Sequence, residues 1–175
     1  MTRTPGLVAP TLPAIPDTPP ALRACLFALA GSRFAVDVRS AREVAVFDEI
    51  TTVPRAPRQL VGVANLRGAV LPIVDIRRLL GLPEARLTRS VRTLVLRDDS
   101  LVVAVVVDAV LGLEPFDEVI APDDRQAARA RGPRQFAAGW LAWAGETLAL
   151  LDVPRLLAAL RPVRRTATVG HGEPV

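Results

Sequence analysis

The chain has 175 residues, of which 50% are hydrophobic and 23% charged, and its formal net charge at pH 7 is +4. It can bury one ordinary core or two small linked ones, and its longest apolar run, LVVAVVV at 101–107, is too short to span a bilayer. The basic residues are all arginine, and no aromatic residues interleave with them as they would in a nucleic-acid-binding surface. We therefore expect a soluble, cytoplasmic globular protein that binds no nucleic acid.

The N-terminal half predicts a leader followed by short strands. Residues 1–20 hold six prolines and predict a disordered, Pro-rich leader, so the folded part is expected to span 21–161. ACLFALAGSRFAVDV (24–38) predicts two strands joined at Gly31-Ser32. A loop with two prolines (53–59) precedes a second hairpin, GVANLRGAVLPIVDI (62–76). The helical spacing of 76–81 ends at Gly81.

The C-terminal half predicts the same succession of elements. Residues 91–110 predict a hairpin that turns at Asp98-Asp99-Ser100. Residues 121–138 are rich in Ala, Arg and Pro and predict a surface loop or short helix, and 139–160 predict a further hairpin and a last helix. The remaining residues, 162–175, are expected to form a flexible tail.

An internal repeat relates the two halves. Residues 62–80 and 139–157 align at an offset of 77 with seven identities in nineteen positions: Gly62/Gly139, Gly68/Gly145, Leu71/Leu148, Asp75/Asp152, Arg78/Arg155, Leu79/Leu156 and Leu80/Leu157. The earlier hairpins also correspond, and each is followed by FDEI (47–50) or FDEV (116–119). A duplicated unit of short strands predicts two small β-barrels or sandwiches packed about a pseudo-twofold axis.

The repeat separates residues that folding requires from residues that it does not. Both copies have a glycine at the turn, Gly68 or Gly145, where a positive φ is expected, and both have an aspartate before the helix that can cap backbone N–H groups. Asn65 and Arg67, in contrast, align with Ala142 and Ala144. Polarity at these two positions is not demanded by the fold, which makes Arg67 a candidate functional residue. The simpler alternative is that Arg67 is a solvated turn residue and that Asn65 pairs locally with the backbone.

The residues offer little for catalysis. The single histidine, His171, lies in the predicted tail, and the single cysteine, Cys25, lies in an apolar run that predicts a buried thiol. Neither GxGxxG nor GxxxxGK[ST] occurs, and no metal-ligand spacing is present. We expect no enzymatic activity, no cofactor and no metal.

Four segments together resemble the CheW-like coupling proteins of bacterial chemotaxis: FALAGSRFAVDVRSAREVAVF, VGVANLRGAVLPIVDIRRLLGLP, VVVDAVLGL and LALLDVPRLL. The resemblance covers about residues 22–161, and its most specific part is GVxNLRG followed by PIVDI. It implies a mainly β fold of two linked, SH3-like, five-stranded β-barrels with short helices. It also implies an adaptor that joins the cytoplasmic tip of a chemoreceptor to the regulatory domain of a histidine kinase, at membrane-bound receptor arrays.

The resemblance also implies binding residues. Arg67 matches the family arginine associated with receptor contact, and Glu43 matches a glutamate of the same region. Val44 and Gly62 lie in segments expected to face the receptor, and Asn65 and Gly68 are expected to support the turn that presents Arg67. No residues are assigned to kinase binding. The chain departs from the family pattern at Ala41, where a larger apolar residue is common, and at Ala69, where an acidic residue is common.

The alternative function, which belongs to a different class, is that of a β-barrel that binds a small molecule. Barrels of this size are normally filled by their own Leu, Val and Ile side chains, which favours the adaptor.

Overall fold

The computed structural model describes residues 21–87, 90–122 and 131–161, so the predicted leader (1–20) and tail (162–175) lie outside the described residues. The strands are β1 (Leu22–Leu29), β2 (Ser32–Asp37), β3 (Ala41–Phe47), β4 (Leu60–Leu66), β5 (Ala69–Val74), β6 (Val91–Arg97), β7 (Val102–Val106), β8 (Ala109–Phe116), β9 (Ala137–Trp143) and β10 (Glu146–Leu151). A 3₁₀ helix (Gly132–Phe136) precedes β9, and helix α1 (Val153–Leu160) follows β10. The first hairpin turns at Ala30-Gly31, one residue earlier than predicted, because both residues have positive φ and β2 begins at Ser32.

The strands form two five-stranded sheets, which confirms the predicted mainly β class. Barrel A has the strand order β8-β1-β2-β10-β9, and barrel B has the order β3-β6-β7-β5-β4. The repeats correspond to β1–β5 and β6–β10, so each barrel takes two strands from one repeat and three from the other. Replacing each strand of barrel A by its repeat equivalent gives the order of barrel B. The repeat thus specifies the pseudo-twofold relation, although neither repeat forms a barrel by itself.

A short β-bridge closes each barrel. It joins the segment that follows one edge strand to the strand at the opposite edge of the same sheet. Thr51, beyond β3, exchanges two backbone hydrogen bonds with Val63 of β4, at 2.9 and 2.8 Å. Ile120, beyond β8, does the same with Trp140 of β9, at 3.0 and 2.8 Å. These bridges leave the two barrels with little unpaired strand edge at the closure.

The identity Gly62/Gly139 follows from this closure. A Cβ atom at Gly62 would lie 2.4 Å from the carbonyl oxygen of Thr51, and one at Gly139 would lie 2.5 Å from Cγ1 of Val119. A side chain at either position would therefore crowd the closing segment, and most severely at Gly62, where the contact is with the backbone.

Three apolar clusters hold the fold together. The cluster inside barrel A consists of Ala24, Leu26, Ala35, Phe116, Leu141, Leu148 and Leu150. The cluster inside barrel B consists of Ala45, Phe47, Ala64, Leu71, Ile73, Val91, Val95, Ala104 and Val106. The largest cluster lies between the barrels and combines Phe27 and Phe34 of barrel A with Val103 and Val105 of barrel B, together with Leu156 of α1. Apolar burial thus fills both barrels and also joins them.

The predicted aspartate caps are present at both copies. The carboxylate of Asp152 accepts a hydrogen bond from the backbone N–H of Arg155 at 3.0 Å, at the start of α1. Asp75 accepts one from the N–H of Arg77 at 2.9 Å, but the chain after it forms one helical turn instead of a helix. That turn stops because Gly81 has a φ of +66° and the N–H of Leu82 bonds back to the carbonyl of Arg77 at 2.8 Å.

Candidate functional site

Arg67 lies at the tip of the β4–β5 hairpin of barrel B. The loop consists of Arg67 and Gly68, with φ values of +51° and +86°, the pattern of the two-residue turns that match strand twist. The side-chain oxygen of Asn65 accepts a hydrogen bond from the N–H of Gly68 at 2.8 Å. Asn65 thereby fixes the backbone on which the Arg67 side chain is mounted.

The structure brings Arg67 together with Glu43, the other polar candidate. Nη2 of Arg67 lies 2.8 Å from Oε2 of Glu43, which stands on β3 beside a register shift of the β3–β6 pairing. The Arg67 side chain is 79% exposed and that of Glu43 is 31% exposed. A guanidinium has five N–H donors in a planar fork, so the ion pair leaves donors of Arg67 free for the carboxylate or amide of a partner.

The other two candidates do not join this ion pair. Val44 follows Glu43 on β3, and alternation along the strand directs its side chain to the opposite face, where it is 47% exposed. Gly62 is buried at the barrel closure.

Val46 was not among the sequence candidates, and it extends the exposed apolar face of β3. It lies two residues beyond Val44 and is 54% exposed. Because Ala45 and Phe47 alternate with these valines and are buried in barrel B, the alternation of the AREVAVF segment was the signal that could have identified it.

The matching tip of barrel A has a different composition. Its β9–β10 loop, Ala144-Gly145, also has two positive φ values, +48° and +79°. Arg33, at the start of β2, forms an ion pair with Glu146 at 2.5 Å, and its guanidinium carbon lies 5.8 Å from the ring centroid of Trp143. The bond to Glu146 raises the pKa of Arg33. Sequence reasoning missed this group, although Trp143 stands where the repeat has Leu66.

The described residues offer no evident reactive group. Burial raises the pKa of the Cys25 thiol, which disfavours the nucleophilic thiolate. His171 lies outside the described residues. Across 21–87, 90–122 and 131–161, no three His, Cys, Asp or Glu side chains group as metal ligands would. Nor does this part of the chain contain a helix with the length and apolarity needed to cross a membrane.

Comparison with known proteins agrees with this architecture. The family model described as "CheW-like domain" matches residues 23–161. The chain is 35% identical over 133 residues to "Probable chemotaxis protein CheW" of Rhizobium etli, covering 75% of this chain and 84% of that protein. It is 37% identical over 128 residues to "Chemotaxis protein CheW" of Rhizobium meliloti, covering 73% and 81%.

A solved structure shares the fold. The scaffolding protein TtCheW from Thermoanaerobacter tengcongensis superposes with a TM-score of 0.66 at 22% identity, covering 76% of this chain and 89% of that one. The family match over residues 23–161 and the relatives that are 35% and 37% identical show that the chain belongs to the CheW-like domain family.

Proposed function

We propose that this chain is an adaptor of chemotaxis-type signalling that couples the cytoplasmic tip of a chemoreceptor to a histidine kinase. Membership of the CheW-like domain family supports this, as do the names of the relatives. The adaptor would act in the cytoplasm, recruited to membrane-bound receptor arrays, and by binding alone, without catalysis. The observation that carries the proposal is the exposed Arg67, held on a tight turn by Asn65 and Glu43.

The receptor side of the proposal rests on Arg67. Exposed surface ion pairs contribute only about 0–1 kcal/mol to stability, so the Arg67–Glu43 pair has little structural value. Arginine is enriched among the residues that dominate binding energy at interfaces, and its planar fork recognises carboxylates and amides in two-point contacts. A receptor tip that carries such groups is the partner that this site would bind.

Val44 and Gly62 enter the proposal in different ways. Val44 and Val46 together present apolar area on β3 that a receptor helix could cover. Gly62 would act through the position of β4, which leads to the Asn65-Arg67 turn, since it has no side chain and is buried.

Coupling requires that both partners bind at the same time. The receptor would bind at barrel B, and the regulatory domain of the kinase would bind a different surface of the chain. A receptor whose conformations differ in affinity for the assembled complex can then bias the activity of the kinase.

The ligand-binding alternative receives less support. The apolar clusters inside both barrels are almost inaccessible to solvent, as shown for example by Leu26 and Leu141 in barrel A and Ile73 in barrel B, each 0% exposed. A ligand in either barrel would have to displace these side chains.

Co-sedimentation tests the proposed assembly. A chemoreceptor cytoplasmic fragment is arrayed on liposomes, and binding of the kinase to these liposomes is measured with and without the chain. The proposal predicts that the chain brings the kinase to receptor-bearing liposomes and not to bare ones. Equal kinase recruitment with and without the chain would contradict it.

A further inference from the structure

The chain passes between the two barrels at two related places within the described residues. One crossover, Val38–Ser40, leads from β2 to β3, and the other, Val107-Asp108, leads from β7 to β8. The offset of 69 that aligns FDEI with FDEV also aligns these crossovers, and it places Arg39 opposite Asp108. Their backbones match, because the N–H groups of Val38 and Val107 bond to the equivalent carbonyls of Arg23 and Arg92, at 2.9 and 3.0 Å.

The crossover at Asp108 is fastened to both barrels. One carboxylate oxygen of Asp108 accepts a hydrogen bond from Nη2 of Arg77 at 2.5 Å, and the other accepts one from the N–H of Ala30 at 2.6 Å. Arg77 belongs to the helical turn after β5 of barrel B, whereas Ala30 lies in the β1–β2 loop of barrel A. The N–H of Asp108 also bonds to the carbonyl of Ala28 in barrel A at 2.9 Å.

Arg77 is itself held on the barrel B side and is almost fully buried. Its side chain is 3% exposed, and Nη1 donates to Oδ2 of Asp75 at 2.9 Å. Its Nε is buried and has no hydrogen-bond partner within the described residues. The Asp108 side chain is 44% exposed, so only the arginine of the pair is buried. A buried guanidinium with an unsatisfied donor is a poor source of stability, which favours a role in fixing a geometry.

The equivalent crossover is held between the barrels by backbone hydrogen bonds alone: the N–H of Val38 bonds to the carbonyl of Arg23 in barrel A, and the carbonyl of Ser40 accepts from the N–H of Arg97 in barrel B, both at 2.9 Å. The Arg39 side chain is 86% exposed, and its hydrogen bonds go to Asp37, only two residues earlier in the chain. Another link between the barrels, from Arg161 after α1 to Asp98 in the β6–β7 turn, is longer, at 3.6 Å, and its arginine side chain is 50% exposed. Solvent screens exposed pairs of this kind, so they fix orientation weakly.

We propose that the Arg77–Asp108 pair is a pin that fixes the angle between the two barrels, and that the Arg39 crossover is the compliant joint about which they would otherwise reorient. If the chain is the proposed adaptor, on which this functional consequence rests, the pin makes barrel A follow any displacement imposed on barrel B. Glu43 lies shortly after the compliant crossover, on the strand that enters barrel B. A force applied at the receptor site would therefore bend that crossover, were the pin absent.

Residual dipolar couplings of backbone amides in the full-length chain measure the angle between the barrels. The couplings of both wild-type barrels are expected to fit one alignment tensor with the orientation of this structure. Asp108→Asn removes the charge of the pin, and its barrels are expected to need two tensors or a changed relative orientation. Arg39→Ala, the matched change in the other crossover, is expected to keep the wild-type orientation. A folded Asp108→Asn variant that retains the wild-type orientation would overturn the proposal.

A second variant covers the case in which Asp108→Asn does not fold. The double substitution Arg77→Met, Asp108→Leu replaces the buried guanidinium and its partly exposed carboxylate partner by apolar groups of similar length. Proteins often tolerate the replacement of an ion pair by apolar groups. Reorientation of the barrels in this folded variant supports the pin. Wild-type orientation in the double variant, or failure of both variants to fold, overturns it, because the pair would then serve no orienting role separable from stability. These couplings need neither receptor nor kinase, so their outcome is independent of the proposed function.

Discussion

The guanidinium of Arg67, on the β4–β5 turn, is ion-paired with the carboxylate of Glu43, on β3, at 2.8 Å. The two residues are 24 positions apart, from the difference of their residue numbers (67 − 43), and the closed barrel brings them together at one end of barrel B. Neither residue has a polar counterpart in the repeat, where Ala144 and Gly112 stand at the equivalent positions. The pair is therefore an addition to the scaffold rather than part of it.

Replacing Arg67 should weaken receptor binding without affecting the fold. Arg67→Ala is expected to reduce affinity for a chemoreceptor cytoplasmic fragment by about 1–3 kcal/mol, as loss of an interface anchor does. The melting temperature should stay nearly unchanged, because the lost ion pair is exposed. Calorimetric titration and thermal unfolding measure the two effects. Arg33→Ala is the control, since it removes an exposed arginine from an Arg–Glu pair on the other barrel and should bind normally.

Glu43 should act on receptor binding through Arg67. Glu43→Gln removes the charge that orients the guanidinium, so affinity should fall in the wild-type background. In the Arg67→Ala background the same change should have almost no effect. A double-mutant cycle of receptor affinities measures this coupling. Additive losses would instead mean that Glu43 contacts the receptor independently.

Gly62→Ala should destabilise the fold directly. The new methyl group would lie 2.4 Å from the carbonyl oxygen of Thr51, and the overpacking is expected to cost about 1–3 kcal/mol of unfolding free energy. Gly139→Ala should cost less in barrel A, because the atom nearest to its new methyl group is a side-chain methyl of Val119, and the nearest backbone atom, the carbonyl oxygen of Ile120, lies 3.0 Å away. Urea unfolding measures both. If Gly62→Ala lost receptor affinity at unchanged stability, Gly62 would belong to the interface and not to the barrel closure.

Asp98 should contribute to stability in a pH-dependent way. The backbone N–H of Ser100, assisted by its hydroxyl, by the N–H of Leu101 and by the charge of Arg161, holds the pKa of Asp98 below its usual value of about 3.9. A carboxyl group whose pKa is lowered in the folded state stabilises that state above the unfolded pKa, and this stabilisation is lost as the pH falls through the folded pKa.

Asp98→Asn should therefore lower the free energy of unfolding at pH 7 and have a smaller effect below about pH 4, near the unfolded pKa of an aspartate. Urea unfolding of wild type and Asp98→Asn, at pH 7 and again below about pH 4, measures how the loss of unfolding free energy depends on pH. Asp99→Asn is the control, because Asp99 has no hydrogen bond or ion pair within the described residues. Equal losses for Asp98→Asn at both pH values would show that the carboxylate charge is not what stabilises the turn.

Local pattern predicted the hairpins and the repeat, but it could not predict the exchange of strands between repeats. Alternation of apolar residues marks a strand and its two faces, yet it does not say which edge a strand pairs with. The parallel pairing of β2 with β10 joins residues more than 100 positions apart, such as Phe34 and Ala149. Burial of the clusters inside barrel A and between the barrels favours that arrangement, because both clusters include residues of β2 and β10.

Some of the residues discussed above could be predicted from the sequence, and others could not. The repeat identified Arg67 because Ala144 occupies the matching position, and Asn65 lies within hydrogen-bonding reach of the turn by its position in the sequence. The buried role of Arg77 left no local signal, since an arginine at helical spacing normally predicts an exposed face. Its partner Asp108 interrupts an apolar strand segment, but their pairing depends on tertiary structure.

Kinase activity in a reconstituted complex is a direct test of the proposed coupling between receptor and kinase. Purified histidine kinase and an arrayed chemoreceptor fragment are combined with wild-type chain, with Arg67→Ala, with Arg33→Ala or with no adaptor, and autophosphorylation is measured. We expect wild type and Arg33→Ala to make kinase activity depend on the receptor, whereas Arg67→Ala should resemble the sample without adaptor. Receptor-independent kinase activity in the presence of the wild-type chain, or full coupling by Arg67→Ala, would contradict it.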